Sequence, residues 1–232
     1  GSSSSVEEIV PGGGRLEWET TLSAPELADR WILSRLNGVA RDVDSALAEF
    51  RFHEVADQLY HFFWHDFCDW YIEFSKPFVT DRELGSRAVA VRRRIVWLLE
   101  RSLRLLHPIM PFITEELWQR LPHEGDSICQ SDFVTFESNA IDEKAERDID
   151  LVIELITKIR NIRSTFNLSP TIPLRVRIVP TSETARGTIV AMQSHIRRLA
   201  RMEEVELVPA LGPVSQAARA VTAAGELAVP LE

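Results

Sequence analysis

The apolar positions of this chain recur at helical spacing through its first half and switch to alternation near its end. Ile32, Leu36, Val39, Val43, Ala46 and Phe50 follow one another at three- or four-residue steps, which is one stripe of a long helix. Ser23-Ala-Pro-Glu26 supplies its start, with Ser23 as cap, Pro25 in the first turn and Glu26 at the capping-box position. A second helix is expected over about 52–75, with Ala56, Leu59, Phe63, Phe67, Trp70 and Phe74 facing inward. Lys76-Pro77 should end it, because the residue before a proline is driven out of the helical region. A third helix over about 82–106 carries Ala88, Val91, Ile95, Leu98, Ser102 and Leu105, and a short fourth runs over about 111–121. The stretch 125–140 reads as irregular, with short extended pieces at Ile128 and over 133–136.

After Ile141 the pattern changes. A helix over about 142–166 presents Ile149, Val152, Ile156 and Ile159, and Pro170 and Pro173 bracket a turn. LRVRIV over 174–179 alternates apolar and basic residues, the period of a half-buried strand. A helix over 182–202, capped by Ser182, and strands over 205–208, 217–222 and 227–231 complete the series. The expected fold class is mainly α: an antiparallel helical bundle followed by a small α+β domain. The expected domains are a flexible lead-in over 1–22, the bundle over 23–140 and the α+β domain over 141–232.

Composition bounds the function. The chain has 232 residues, 45% of them hydrophobic, enough for one large core or two small ones. No apolar run reaches the roughly 18 residues a membrane span needs, and the opening GSSSSVEEIVPGGG lacks the charged and apolar regions of a secretory signal. Cys68 and Cys129 form no C-x-x-C pair, so the expectation is a reducing cytosol and no disulfide framework. The net charge of −9 argues against nucleic acid until its distribution is considered. Between 85 and 107 there are six Arg against one Glu, and between 151 and 202 nine Lys/Arg against two Glu. Screening limits the reach of distant charge to about 8 Å, so local basic faces can still hold phosphates.

Candidate chemistry is sparse. His61, His65 and Asp69 lie at i, i+4 and i+8 on the second helix beside Cys68. Such a row can ligate zinc, and it is the basis of one alternative, a metal-dependent hydrolase. No fourth ligand is evident, so no metal site is assigned. There is no G-x-S-x-G elbow, and PGGG lacks the Lys-Ser/Thr of a phosphate loop; no catalytic residue is assigned either. Trp64, Trp70 and Tyr71 could stack on unpaired bases, although a core role is favoured for Trp70 and Tyr71. Phe63, Phe67, Trp70 and Phe74 are expected to be core. Arg160 and Arg163 share a helix face with Asn167 beyond and suit either phosphate contact or domain docking, the latter being preferred.

Three strings carry a family resemblance: FWHDFCDWYIEFSKP over 63–77, LHPIMPFITEELW over 106–118 and IRNIRSTFNLSP over 159–170. With LADRWILSRL, IRRLARMEEVEL and GELAVPLE, they make the chain from about Leu22 onward resemble the tail half of the valyl-tRNA synthetases, class Ia enzymes. HPIMPFITEELW alone would indicate only class Ia, whereas FCDWYIE followed by IRNIRSTFN is similar to the valine enzymes. The resemblance implies an anticodon-binding fragment that binds and does not catalyse. The HIGH-like and KMSKS-like signatures, the editing domain, the helix before LADRW and the C-terminal coiled-coil arm would lie elsewhere. For the full-length enzyme it implies attachment of valine to its tRNA with ATP and Mg; the fragment itself is expected to need no cofactor. Expected partners are the anticodon loop and stem of tRNA(Val) and the catalytic domain of the same polypeptide, in a cytoplasmic, monomeric, membrane-free setting. Candidate RNA contacts are Arg35, Arg51, Lys76, Arg93, Arg94, Arg160 and Arg163. The alternative from another class is a helical protein-interaction scaffold with no RNA role.

Overall fold

The computed structural model describes residues 24–80, 85–169, 172, 174–212 and 217–230. The expected lead-in, the Ser23 cap and the Pro170/Pro173 bracket lie outside the described residues. Two compact units divide between Glu143 and Lys144.

The first unit is helical. Helix α1 (Leu27–Ala48) buries Ile32, Leu36, Val39, Val43 and Ala46, as the stripe requires. Its start differs from expectation: Glu26 is the N-cap residue itself, and its N–H donates to Asp29 Oδ2 at 2.9 Å. Phe50 also departs from the stripe. The helix stops at Ala48, Phe50 takes a left-handed φ of 58°, and its ring is left 78% exposed.

A second, continuous helical rod follows, made of α2 (Phe52–Tyr60), a π-helical segment (His61–Tyr71) and α3 (Ile72–Thr80). The π segment replaces i→i+4 bonding with i→i+5, which widens the helix and shifts its faces. The buried positions are accordingly Val55, Leu59, Phe62, Phe67, Tyr71 and Phe74. Ala56 is exposed, and Phe63 and Trp70 are only half-buried. The rod also runs past Pro77 to Thr80. The proline removes one backbone donor, but the last turn is held from outside that ladder. Thr80 Oγ1 donates to the Lys76 carbonyl at 2.8 Å, and Arg92 Nη2 on the next helix donates to the Val79 carbonyl at 3.0 Å.

Helix α4 (Gly85–Leu106) places Ala88, Val91, Leu98, Ser102 and Leu105 inside, with Arg94 and Trp97 buried where Ile95 was expected. Helix α5 (Pro111–Trp118) ends three residues earlier than anticipated and is pinned by Trp118, whose Nε1–H donates to buried Glu100 Oε1 at 2.8 Å. Trp118, Leu103 and Ile128 form a small core between them. Instead of extended pieces, the segment that follows has 3-10 turns at Ile128–Gln130 and Ser138–Ala140, joined by irregular chain. It straps back over α1: the Glu137 N–H donates to Asn37 Oδ1 at 3.0 Å and the Asp142 N–H to Ser34 Oγ at 2.9 Å.

The second unit opens with α6 (Glu143–Thr165), whose Ile149, Val152, Ile156 and Ile159 are wholly buried. Strand β1 (Arg175–Pro180) leads to α7 (Glu183–Ala191), which is capped by Ser182 accepting from the Ala185 N–H. A kink at Met192 separates α7 from α8 (Gln193–Ala200), where one helix over 182–202 was expected. Strands β2 (Glu204–Leu207), β3 (Ala217–Thr222) and β4 (Gly225–Pro230) complete a sheet of order β2-β1-β4-β3. β1 and β2 are parallel, with Val176 opposite Val205; β4 runs antiparallel to β1 and to β3. The Glu154 carboxylate on α6 accepts from the Ala223 N–H in the β3–β4 turn, and Asp148 accepts from Thr188 on α7. The molecule is therefore mainly α, with a helical unit followed by a small α+β unit.

Candidate nucleic-acid interface

A buried ionic knot fixes the rod in the helical unit. Asp29 on α1 accepts from Arg94 Nη1 on α4 at 2.6 Å and from the Tyr71 hydroxyl on the π segment at 2.8 Å. All three side chains are buried. Burial first, and then the Asp29 carboxylate, push the Tyr71 phenol well above its usual range, so it stays a donor. Trp31 packs edge-on to Phe74 at 6.4 Å beside this knot. Together these contacts set the rotation of the rod, and so decide which side chains of 52–69 face outward.

The outward face is a row of rings. Tyr60, His61, Trp64 and His65 are all exposed, Tyr60 by 57% and Trp64 by 49%. Their centroids lie 6.3 Å apart for Tyr60 and Trp64, 6.3 Å for Tyr60 and His65, and 5.0 Å for His61 and His65. His65 Nδ1 is 3.1 Å from Asp69 Oδ2, which orients the imidazole. The row borders Arg35: its Nε donates to Asp66 Oδ2 at 2.8 Å, and Asp66 Oδ1 is 3.9 Å from His61 Nδ1. These exposed rings meet edge-on or tilted, at 83°, 82° and 49°, so the cluster with a guanidinium at its border can offer separate π-faces to unpaired bases and a cation to a phosphate.

The seven sequence candidates fare unequally. Arg35 stands at the row with about a third of its side chain exposed. Arg51 pairs with Glu49 at 3.1 Å and with Glu54, Lys76 pairs with Glu73, and Arg93 lies half-buried on α4. Arg94, expected as an RNA contact, has no exposed side chain to offer RNA: Asp29 holds its guanidinium in the interior, so it is a strut of the helical unit instead. In the α+β unit, Arg160 Nε donates to the Leu199 carbonyl at 2.9 Å. Arg163 is buried and donates to the carbonyls of Ser169 at 2.9 Å, Ile172 at 3.0 Å and Arg201. Burial, and then the nearby charge of Arg201, lower its guanidinium pKa. Arg160 thus ties α6 to the end of α8, and Arg163 clamps the segment after α6, both within their own unit.

Trp64 is exposed, as a base-stacking role demands, whereas Tyr71 is core and Trp70 is half-buried against Phe74 at 5.8 Å. Tyr60, His61 and His65 were not singled out as RNA contacts. Their signal was present in the repeat of ring-bearing residues at i, i+1, i+4 and i+5, on the side opposite Val55 and Leu59. Although His61, His65 and Asp69 do come together, no group of three or more metal-ligating side chains among the described residues could hold a metal. No described helix is long and apolar enough to cross a membrane.

A family model for the anticodon-binding domain of tRNA ligase matches residues 29–178. The chain is 38% identical over 208 residues to the valine–tRNA ligase of Listeria innocua, covering 89% of this chain and 23% of that protein. Identity is 36% over 207 residues to the valine–tRNA ligase of Bacillus subtilis, covering 89% and 23%. It is 34% over 222 residues to that of Geobacillus stearothermophilus, covering 95% and 25%. The chain thus spans about a quarter of the length of the curated relatives it matches. With more than half of its residues matched by that domain model, the chain belongs to the family of anticodon-binding domains of tRNA ligases.

Proposed function

We propose that this chain binds the anticodon loop and stem of tRNA(Val) as part of a valine–tRNA ligase, and that it binds without catalysing. The observation that carries this is the match of residues 29–178 to the anticodon-binding family, together with relatives that are valine–tRNA ligases. In the whole enzyme, a cytoplasmic monomer, ATP and Mg would drive attachment of valine in domains this chain does not match. Here the row of Tyr60, His61, Trp64 and His65 takes the unpaired bases and Arg35 a flanking phosphate. Arg51, Lys76 and Arg93 contribute diffuse positive charge, and Arg160 and Arg163 hold the second unit's own fold.

A helical interaction scaffold is the second reading, favoured by the apolar outer face of α5, where Phe112 is 90% exposed beside Ile113 and Leu117. A gel-shift titration decides between the two. The proposed function expects tRNA(Val) to bind, an anticodon-swapped tRNA to bind more weakly, and affinity to fall steeply with salt. Absence of any tRNA binding at low salt would leave the scaffold reading in its place.

A further inference from the structure

At the corner between α4 and α5, a cysteine, a histidine and a threonine stand in line. Cys129 is exposed, in the 3-10 turn Ile128–Gln130. Its Sγ lies 3.1 Å from His107 Nε2, and His107 Nδ1 lies 2.7 Å from Thr114 Oγ1. Thr114 is buried and its hydroxyl donates to the Met110 carbonyl at 2.8 Å. With its own proton committed there, Thr114 Oγ1 accepts from His107 Nδ1–H. That tautomer leaves the Nε2 lone pair facing the thiol. A thiol, a base within hydrogen-bond reach and a third group orienting the base form the arrangement that activates cysteine nucleophiles.

From this geometry we propose that Cys129 is a reactive thiol and a site of reversible S-thiolation, with His107 as its base and Thr114 as a positioning residue. The co-reactant is a small, low-molecular-weight disulfide. His107 Nε2 takes the Sγ proton and the thiolate sulfur attacks one sulfur of the disulfide. The S–S bond breaks, a Cys129 mixed disulfide forms, and the other half leaves as a thiolate that can recover the proton. The adduct occupies the sulfur that now meets His107 and so removes that one contact, while Ile128 stays packed against Leu103 and Trp118.

Cys68 is the internal contrast. It is half-buried on the π segment, and burial, with Asp69 adding, pushes its thiol pKa up. The test is peptide-resolved alkylation by iodoacetamide at pH 7 on the full 232-residue chain, folded and urea-unfolded. A free thiol is only a few per cent ionised at that pH, so an activated one should react at least about fivefold faster folded than unfolded. Cys68 should show the reverse order. Glutathione disulfide should place a single adduct on the Cys129 peptide, removable by dithiothreitol. His107→Gln should bring the folded rate of Cys129 down to the unfolded rate. Equal folded and unfolded rates for Cys129 in the unmutated chain, or adducts mainly on Cys68, would overturn the proposal. So would a folded His107→Gln variant that keeps the fast rate. Should that variant fail to fold, the folded-to-unfolded ratio of the unmutated chain decides alone.

Discussion

Arg94 Nη1 and Asp29 Oδ2 meet 2.6 Å apart with neither side chain exposed, joining the middle of α4 to the first turn of α1. Removing one partner of a buried pair leaves a charge without compensation, at a cost of about 3–5 kcal/mol. Arg94→Leu is therefore expected to lower the urea midpoint of the chain sharply. Tyr71→Phe, which removes one hydrogen bond to the same carboxylate, should cost about 1.5–3 kcal/mol. An Arg94 variant of unchanged stability would show that the knot does not hold the helices.

The π segment makes a sharper claim, because adjacent phenylalanines trade places relative to an α-helical reading. Phe62 is fully buried and Phe63 is half-buried. Phe62→Ala should cost about 3–5 kcal/mol and Phe63→Ala distinctly less. Chemical denaturation of the two variants checks this, and the opposite order would restore the α-helical register with Phe63 inward.

The α+β unit should weaken in mild acid. Burial, and then the charge of Arg198, lower the His195 pKa from 6.5 to about 4. Unfolded chains take up that proton as pH falls through 6.5, while the folded unit refuses it until about 4. The unfolded state binds more protons in that window, so stability is full above 6.5 and declines as pH falls toward 4, by up to about 3 kcal/mol. Melts between pH 7 and 4 should show the decline, and His195→Gln should flatten it.

Gly225 pairs with Pro180 at the end of the β1–β4 ladder with a φ of 153°. A Cβ there would sit 2.1 Å from the Val179 carbonyl oxygen, a backbone atom that cannot step aside. Gly225→Ala should cost about 2–3 kcal/mol or more, read by thermal melting.

How far the sequence led depends on the periodicity each element keeps. Helix α1 and the four isoleucine and valine positions of α6 were legible because each holds one α-helical period from end to end. Strand β1 was legible from its alternation of apolar and basic residues. The rod was misread because i→i+5 bonding over 61–71 moves the inward face from Phe63 and Trp70 to Phe62 and Tyr71, and single-sequence spacing carries no mark of that shift. Pro77 misled for a different reason: its helix end is stabilised by Thr80 and by Arg92 on the next helix, 13 residues after Val79. The charge of an arginine in the sequence does not reveal a partner such as Asp29, 65 residues from Arg94. The exposure of Trp64, which the proposed stacking needs, was legible, but its neighbours Tyr60, His61 and His65 emerged only when the knot fixed which way the rod faces.

The measurement that tests the account most directly is the affinity of Tyr60→Ala and Trp64→Ala for the isolated anticodon stem-loop of tRNA(Val), taken alongside their melting temperatures. Both rings are about half exposed, so truncation should leave the melting temperature near that of the unmutated chain. Base stacking is worth about 1–3 kcal/mol per ring, so each variant should bind the loop roughly five- to 150-fold more weakly. Unchanged affinity in both variants, with the fold intact, would contradict the assignment of this row as the recognition surface.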